Sequence, residues 1–176
     1  MAVKNGEEYH EVNRASHRRP DFSGETLGTY RKEAAGVLIG EYGYSIDLKG
    51  RLNFPARLRE DLGERFMIAK GLGDPCLAVY SMAEWEEKTA KIKTYPTAKA
   101  KELQRFLFPS AFEAEPDKQG RIVIPQNLRE YAGLEKDVMV VGTGDRCEIW
   151  SKDEWERASG SISAESIREL VDNLGF

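Results

Sequence analysis

The chain has 176 residues, 40% hydrophobic and 32% charged, an ordinary soluble composition. Its formal charge of -4 argues against indiscriminate binding of nucleic acid by the whole surface, and leaves room for a local basic patch. No apolar run approaches a membrane span and no apolar h-region marks the N-terminus, so neither anchor nor secretory signal is expected.

Residues 1–36 are polar, mixed in charge and without periodicity, and read as a disordered extension. They hold the only two histidines, His10 and His17, so no zinc site is expected. From Val37 to Ile46 the residues alternate as a strand does. Asp47 to Gly50 is then a turn in which Gly50 can take positive φ, followed by a short strand, "RLNF". Pro55 suits the first helical position, and Gly63 ends the short helix "ARLREDLG". "RFMIAKG" and "PCLAVY" read as two more strands. Ser81-x-x-Glu84 is a capping box that opens a helix over "MAEWEEKTAKIKT".

A linking helix is expected over 96–109, closed by Pro109, with Leu103, Phe106 and Leu107 on one face. The same order of elements then returns over 110–157, ending in a second capping box, Ser151-x-x-Glu154. A tail helix over 158–176 carries Ile167, Leu170, Val171 and Leu174 at helical spacing, and the body of the same chain is expected to cover that stripe. Cys76 and Cys147 sit in apolar strand-like stretches and read as buried, reduced thiols.

The recurrence is a sequence repeat. Shifted by about seventy residues, Asp47-Leu48-Lys49-Gly50-Arg51 lies over Asp117-Lys118-Gln119-Gly120-Arg121, Leu58-Arg59-Glu60 over Leu128-Arg129-Glu130, and Glu84-Trp85-Glu86 over Glu154-Trp155-Glu156. The first copy spans 37–95 and the second 110–157. A unit this short buries little surface alone, so the two copies are expected to share one core.

The repeated loop joins two chemistries. Asp47, Asp117, Gly50 and Gly120 are the residues a tight turn needs: a carboxylate to accept backbone N–H groups and a glycine in the left-handed region. Asp47 can also pair with Arg51 across the turn. Lys49, Arg51, Lys118 and Arg121 sit where a rigid turn would present them with little entropy left to lose. Arginine there can fork to guanine O6 and N7 or to a phosphate, and a two-stranded ribbon fits the major groove. Arg57, Arg59 and Arg129 follow and extend the basic group. An enzyme is not expected: the repeats lack histidine, a Ser–His or Cys–His pair and a phosphate-cradling glycine motif.

The stretches "GEYGYSIDLKGRLNFPA", "QRFLF", "DKQGRIVIP", "LREYAGLEKDVMVVG" and "EIWSKDEWE" together resemble the MraZ family, bacterial transcriptional regulators of the division and cell-wall gene cluster. The resemblance implies an α+β fold: a duplicated AbrB-like swapped-hairpin β-barrel with flanking short helices. It implies a homo-oligomeric ring of about eight or more subunits. That ring would bind double-stranded promoter DNA at spaced direct repeats of a TGGG-like sequence and repress its own operon. A cytoplasmic, nucleoid-associated protein without cofactor is implied. The DNA-reading positions map to Asp47 with Arg51 and Asp117 with Arg121, beside Lys49 and Lys118. Gln119 replaces Lys49 in the second loop, so the first loop is expected to bind more strongly. The alternative is a ring-forming scaffold without sequence-specific DNA binding. An antitoxin role is disfavoured, because such relatives carry a single hairpin copy. The stretch before Val37 departs from the family, whose members begin near this strand. Initiation at Val37 is therefore expected, and intact-mass analysis tests it.

Overall fold

In the computed structural model, residues 36–94 and 98–175 are described; the expectations for residues 1–35, histidines included, lie outside the described residues. The chain forms β1 (Leu38–Ser45), β2 (Arg51–Asn53), α1 (Ala56–Leu62), β3 (Phe66–Lys70), β4 (Leu77–Ser81) and α2 (Met82–Thr94). Helix α3 (Ala98–Leu107) and a short 3-10 turn (Phe108–Ser110) lead into the second half. There β5 (Phe112–Ala114), β6 (Arg121–Val123), α4 (Gln126–Tyr131), β7 (Asp137–Gly144), β8 (Cys147–Ser151) and α5 (Lys152–Gly160) repeat the order, and α6 (Ala164–Leu174) follows. Both capping boxes form on their serine side: the Ser81 and Ser151 hydroxyls accept from the N–H groups of Glu84 and Glu154 at 3.2 and 3.4 Å. Pro55 stands one place earlier than expected, as the cap of α1 rather than its first residue, and Pro125 holds the same place before α4.

Strand pairing crosses between the repeats. The antiparallel order of the six-stranded sheet is β1-β7-β8-β4-β3-β5, and β2 pairs with β6 in a separate two-stranded ribbon. Thus β1 of the first copy lies along β7 of the second, from Leu38 opposite Gly144 to Ser45 opposite Asp137. In return β5 of the second copy lies along β3 of the first. Each repeat supplies an edge that only the other completes. The expected closed barrel does not appear in the hydrogen bonding: among the described residues β1 and β5 remain the two edges of the sheet.

The period-2 alternation of the strands sorts side chains onto two faces. Phe66, Ile68, Val79, Val138, Val140 and Ile149 point toward the ribbon, where they pack with Leu52 and Ile122 and with Leu58 and Leu128 of α1 and α4. Each of these side chains contributes about 1.5–3 kcal/mol of hydrophobic stabilisation when fully buried. Met139, Val141 and Trp150 point the other way, toward Trp155 and Ala158 of α5. Cys76 and Cys147 are buried free thiols, and burial pushes both up to about 12.

The tail corrects one expectation. No residue of α6 is buried; Ile167, Leu170 and Leu174 are 45, 56 and 71% exposed. The body does not cover this stripe. Helix α5 already occupies the sheet face beside β7 and β8. After it, Ser163 starts a new helix by accepting the N–H of Ser166 at 3.1 Å.

Candidate nucleic-acid interface

The first loop is built around one carboxylate. Oδ1 of Asp47 accepts the backbone N–H groups of Lys49 and Arg51, both at 2.9 Å. Oδ2 accepts Nε–H of Arg51 at 2.6 Å. The backbone closes the same turn: Gly50 N–H donates to Asp47 O at 2.8 Å, and Asp47 N–H to Arg51 O at 3.0 Å. Gly50 takes φ 77°, the left-handed conformation that side chains resist. The N–H of Arg51, then its guanidinium, holds the Asp47 carboxyl below its ordinary range.

The second loop repeats this geometry. Oδ1 of Asp117 accepts from the N–H groups of Gln119 and Arg121 at 2.9 Å, and Oδ2 accepts Nε–H of Arg121 at 2.8 Å. Arg121 adds a second contact to Oδ2 through Nη2 at 2.7 Å, whereas Arg51 pairs through Nε alone. The backbone N–H of Arg121, then its guanidinium, lowers Asp117 to about 2. Gly120 has φ 78°. The ion pairs do not hide the arginines, whose side chains are 41% (Arg51) and 36% (Arg121) exposed. Pairing through Nε fixes each guanidinium plane, which lowers the entropy that a later contact would cost.

Arg59 and Arg129 belong to the loops in a different way than expected. They are half-buried and do not extend a free basic surface. Arg59 Nε donates to Phe54 O at 3.2 Å, and Arg129 Nε to Ile124 O at 3.1 Å. Their guanidiniums lie against the glycine of the opposite repeat's loop: Arg59 against Gly120, Arg129 against Gly50. The backbone ties the same elements, with Phe54 N–H donating to Gly120 O at 3.0 Å and Ile124 N–H to Gly50 O at 2.8 Å. Each repeat therefore braces the other's loop.

The ribbon brings the two loops onto one face. Arg51 stands opposite Val123, Leu52 opposite Ile122, and Asn53 opposite Arg121. Leu52 and Ile122 point into the core. By alternation Arg51, Asn53, Arg121 and Val123 share the outward face, where Asn53 is exposed and Val123 is 57% exposed. Sequence reasoning missed Asn53, because its position beside Arg121 follows only from pairing between the copies. The arginines also line a shallow cleft of about 290 Å³ with Phe112, Glu113 and Glu115. Lys49, Lys118 and Arg57 are exposed near the loops, and Leu48 at the first loop's tip is fully so. This surface can place two fixed guanidiniums, an amide and a methyl pair against one flat partner, with lysines at its margin.

A larger cleft of about 680 Å³ lies elsewhere, lined by Glu130, Glu135, Asp137, Asp153 and Glu154 among others. Its excess of carboxylates would repel phosphate. Among the described residues no cluster of His, Cys, Asp or Glu could hold a metal ion, and no helix is long and apolar enough to cross a membrane.

The family model "MraZ protein, putative antitoxin-like" matches twice, over residues 37–106 and 107–174. The transcriptional regulator MraZ of Acetivibrio thermocellus is 53% identical over 144 residues, which are 80% of this chain and 100% of that protein. The protein of the same name from a Thermoanaerobacter species is 51% identical over 144 residues, with the same shares of the two chains. Two family matches in tandem, and full-length relatives at half identity, establish that the chain belongs to the MraZ family.

Proposed function

We propose that this chain is a sequence-specific DNA-binding transcriptional regulator that reads promoter DNA with the outward face of the β2–β6 ribbon. One observation carries the reading: Arg51 and Arg121 are held on rigid, mutually braced loops on one exposed two-stranded face. Such a face suits the major groove, with arginines toward guanine and Lys49, Lys118 and Arg57 toward phosphate. Asp47, Gly50, Asp117 and Gly120 shape the loops. The names of the relatives, transcriptional regulators, support the same role.

The repeats, 37–95 and 110–157, form an AbrB-like swapped pair joined by the 96–109 linker, with the 158–176 tail outside it. The chain assembles into a ring, and the bare stripe of α6 supports burial against another subunit. The ring grips spaced direct repeats upstream of the division and cell-wall cluster and represses its own operon from the cytoplasm, at the nucleoid. No catalytic step belongs to this role. Each subunit makes few contacts, and effective concentration along a ring multiplies weak affinities by roughly 10²–10⁴. That gain lets most of the surface stay acidic, which limits binding to random DNA.

The test is a fluorescence titration against the protein's own upstream region, run at several salt concentrations with a scrambled-repeat competitor. Tight, competitor-resistant binding is expected, with log affinity falling by about 0.9 per phosphate contacted for each decade of salt. Equal affinity for scrambled DNA would overturn specific recognition and favour the scaffold reading.

A further inference from the structure

We infer that Asn53 and Val123 give the ribbon a direction, Asn53 selecting adenine and Val123 thymine beside the base that each neighbouring arginine reads. The inference rests on the proposed contact between the ribbon face and DNA.

The two halves of this face agree in almost every respect. Each has an aspartate holding three donors, a left-handed glycine, an arginine paired through Nε, and an arginine from the opposite repeat bracing the turn. A face so built, with identical outward side chains, would select a sequence with two-fold symmetry, as symmetric readers do. Within the two strands of the ribbon the symmetry fails at one outward position, although Glu113 and Glu115 also flank the face on one side where the other side has Gly43 and Ser45. Arg121 stands opposite Asn53, whereas Arg51 stands opposite Val123. The loop tips also differ, Leu48 and Lys49 against Lys118 and Gln119, but a change of charge there acts first on phosphates, which carry no sequence information.

Spacing makes the position suitable. Residues opposite one another in an antiparallel pair are about 4.5–5.5 Å apart, and diagonal neighbours about 7–8 Å. One base-pair step is about 3.4 Å. The diagonal from Arg51 to Arg121 therefore spans about two steps, and each arginine's opposite neighbour reaches an adjacent base. Asn53 is exposed and makes no side-chain hydrogen bond among the described residues, so its amide is available. Its carbonyl can accept from adenine N6 while its NH₂ donates to N7. Val123 offers only methyl groups, which suit the thymine C5-methyl. The unit then reads a guanine beside adenine on one side and a guanine beside thymine on the other. A directional unit of this kind fits direct repeats and not inverted ones.

The test is selection from a randomised duplex library, read by sequencing, with the wild-type chain, Asn53→Val and Val123→Asn. The wild type is expected to enrich a site without two-fold symmetry. Asn53→Val should replace the adenine preference by thymine and lose about tenfold for the original site. Val123→Asn should make the reciprocal change and restore symmetry with adenine on both sides. If either variant fails to fold, the other decides. A specific wild-type site left unchanged in a folded variant overturns the inference while the DNA reading stands. A wild type that enriches no sequence overturns the DNA reading and this inference together.

Discussion

The guanidinium of Arg59 lies so close over Gly120 that a Cβ built on the glycine would stand 2.6 Å from Nη2. Gly120 also has φ 78°. The glycine is thus required by its own backbone, and a side chain there would have to push aside the guanidinium of an arginine from the other repeat. Gly120→Ala is expected to cost about 1–2 kcal/mol from the left-handed backbone alone, and more from the contact. Urea unfolding measures the loss. In an Arg59→Ala background the contact is gone, so the same substitution should cost less there. Equal costs in both backgrounds would show that the arginine does not press on the loop in solution.

Arg51→Ala removes the guanidinium but leaves both backbone bonds of the turn to Asp47. On the proposed reading, specific DNA binding should fall ten-fold or more, for a contact of about 1–3 kcal/mol. Assembly size by light scattering and the melting temperature should stay near the wild type. Normal binding by this variant would remove Arg51 from the reading face.

The loops carry a defined pH limit. Asp117 is lowered from 3.8 to about 2, chiefly by the backbone N–H of Arg121 and then by its guanidinium. A carboxyl depressed in the folded state stabilises above its ordinary value, and the contribution fades as pH falls through the lowered one. Carboxyl-carbon NMR should therefore show Asp117 ionised from pH 7 down to pH 4 and titrating only as pH approaches 2. A midpoint near the ordinary value would mean that the loop's bonds are not held in water.

Cys76 and Cys147 should be chemically silent while the chain is folded. Burial lifts both thiols to about 12, so almost no thiolate exists at neutral pH. Iodoacetamide at pH 8 should modify neither cysteine in the native protein and both in denaturant, by intact mass. Rapid native labelling would show that the strands around them open.

Helix α6 buries none of its residues, so it should add little to the stability of its own subunit. A chain ending after Ser161 is expected to melt within about 3 °C of the full chain when both are monomeric, since no core burial is lost. If the stripe of Ile167, Leu170 and Leu174 serves assembly, the truncated chain should sediment as a smaller species. A large fall in monomer stability would show that the helix packs on the body.

Local signals made much of this molecule legible before its structure. The duplicated Asp-x-x-Gly-Arg loop, both capping serines and the order of strands and helices all depend on residues a few places apart. The Asp47–Arg51 pair could be anticipated for the same reason. The partners of the strands could not: alternation marks β1 as a strand, and β7 lies about a hundred residues further on. Arg59 and Arg129 look from sequence like spare positive charge, because their glycine neighbours belong to the other repeat. Asn53 is unremarkable in "RLNFP" until β6 places Arg121 opposite it. The apolar stripe of α6 predicts a cover without naming it, and the cover expected from the same chain is not there.

The exchange of strands between repeats also sets the order of events during synthesis. When Tyr95 has been made, the first copy is complete as sequence, yet β1 lacks β7, β2 lacks β6 and β4 lacks β8. At elongation rates of about 5–20 residues per second, Ser151 follows roughly 3 to 11 s later. Throughout that interval the nascent chain carries several open edges, each able to accept the matching strand of a neighbouring nascent chain. Polysomes translating this message hold such chains close together. Duplication within one polypeptide makes the correct partner the next one to arrive.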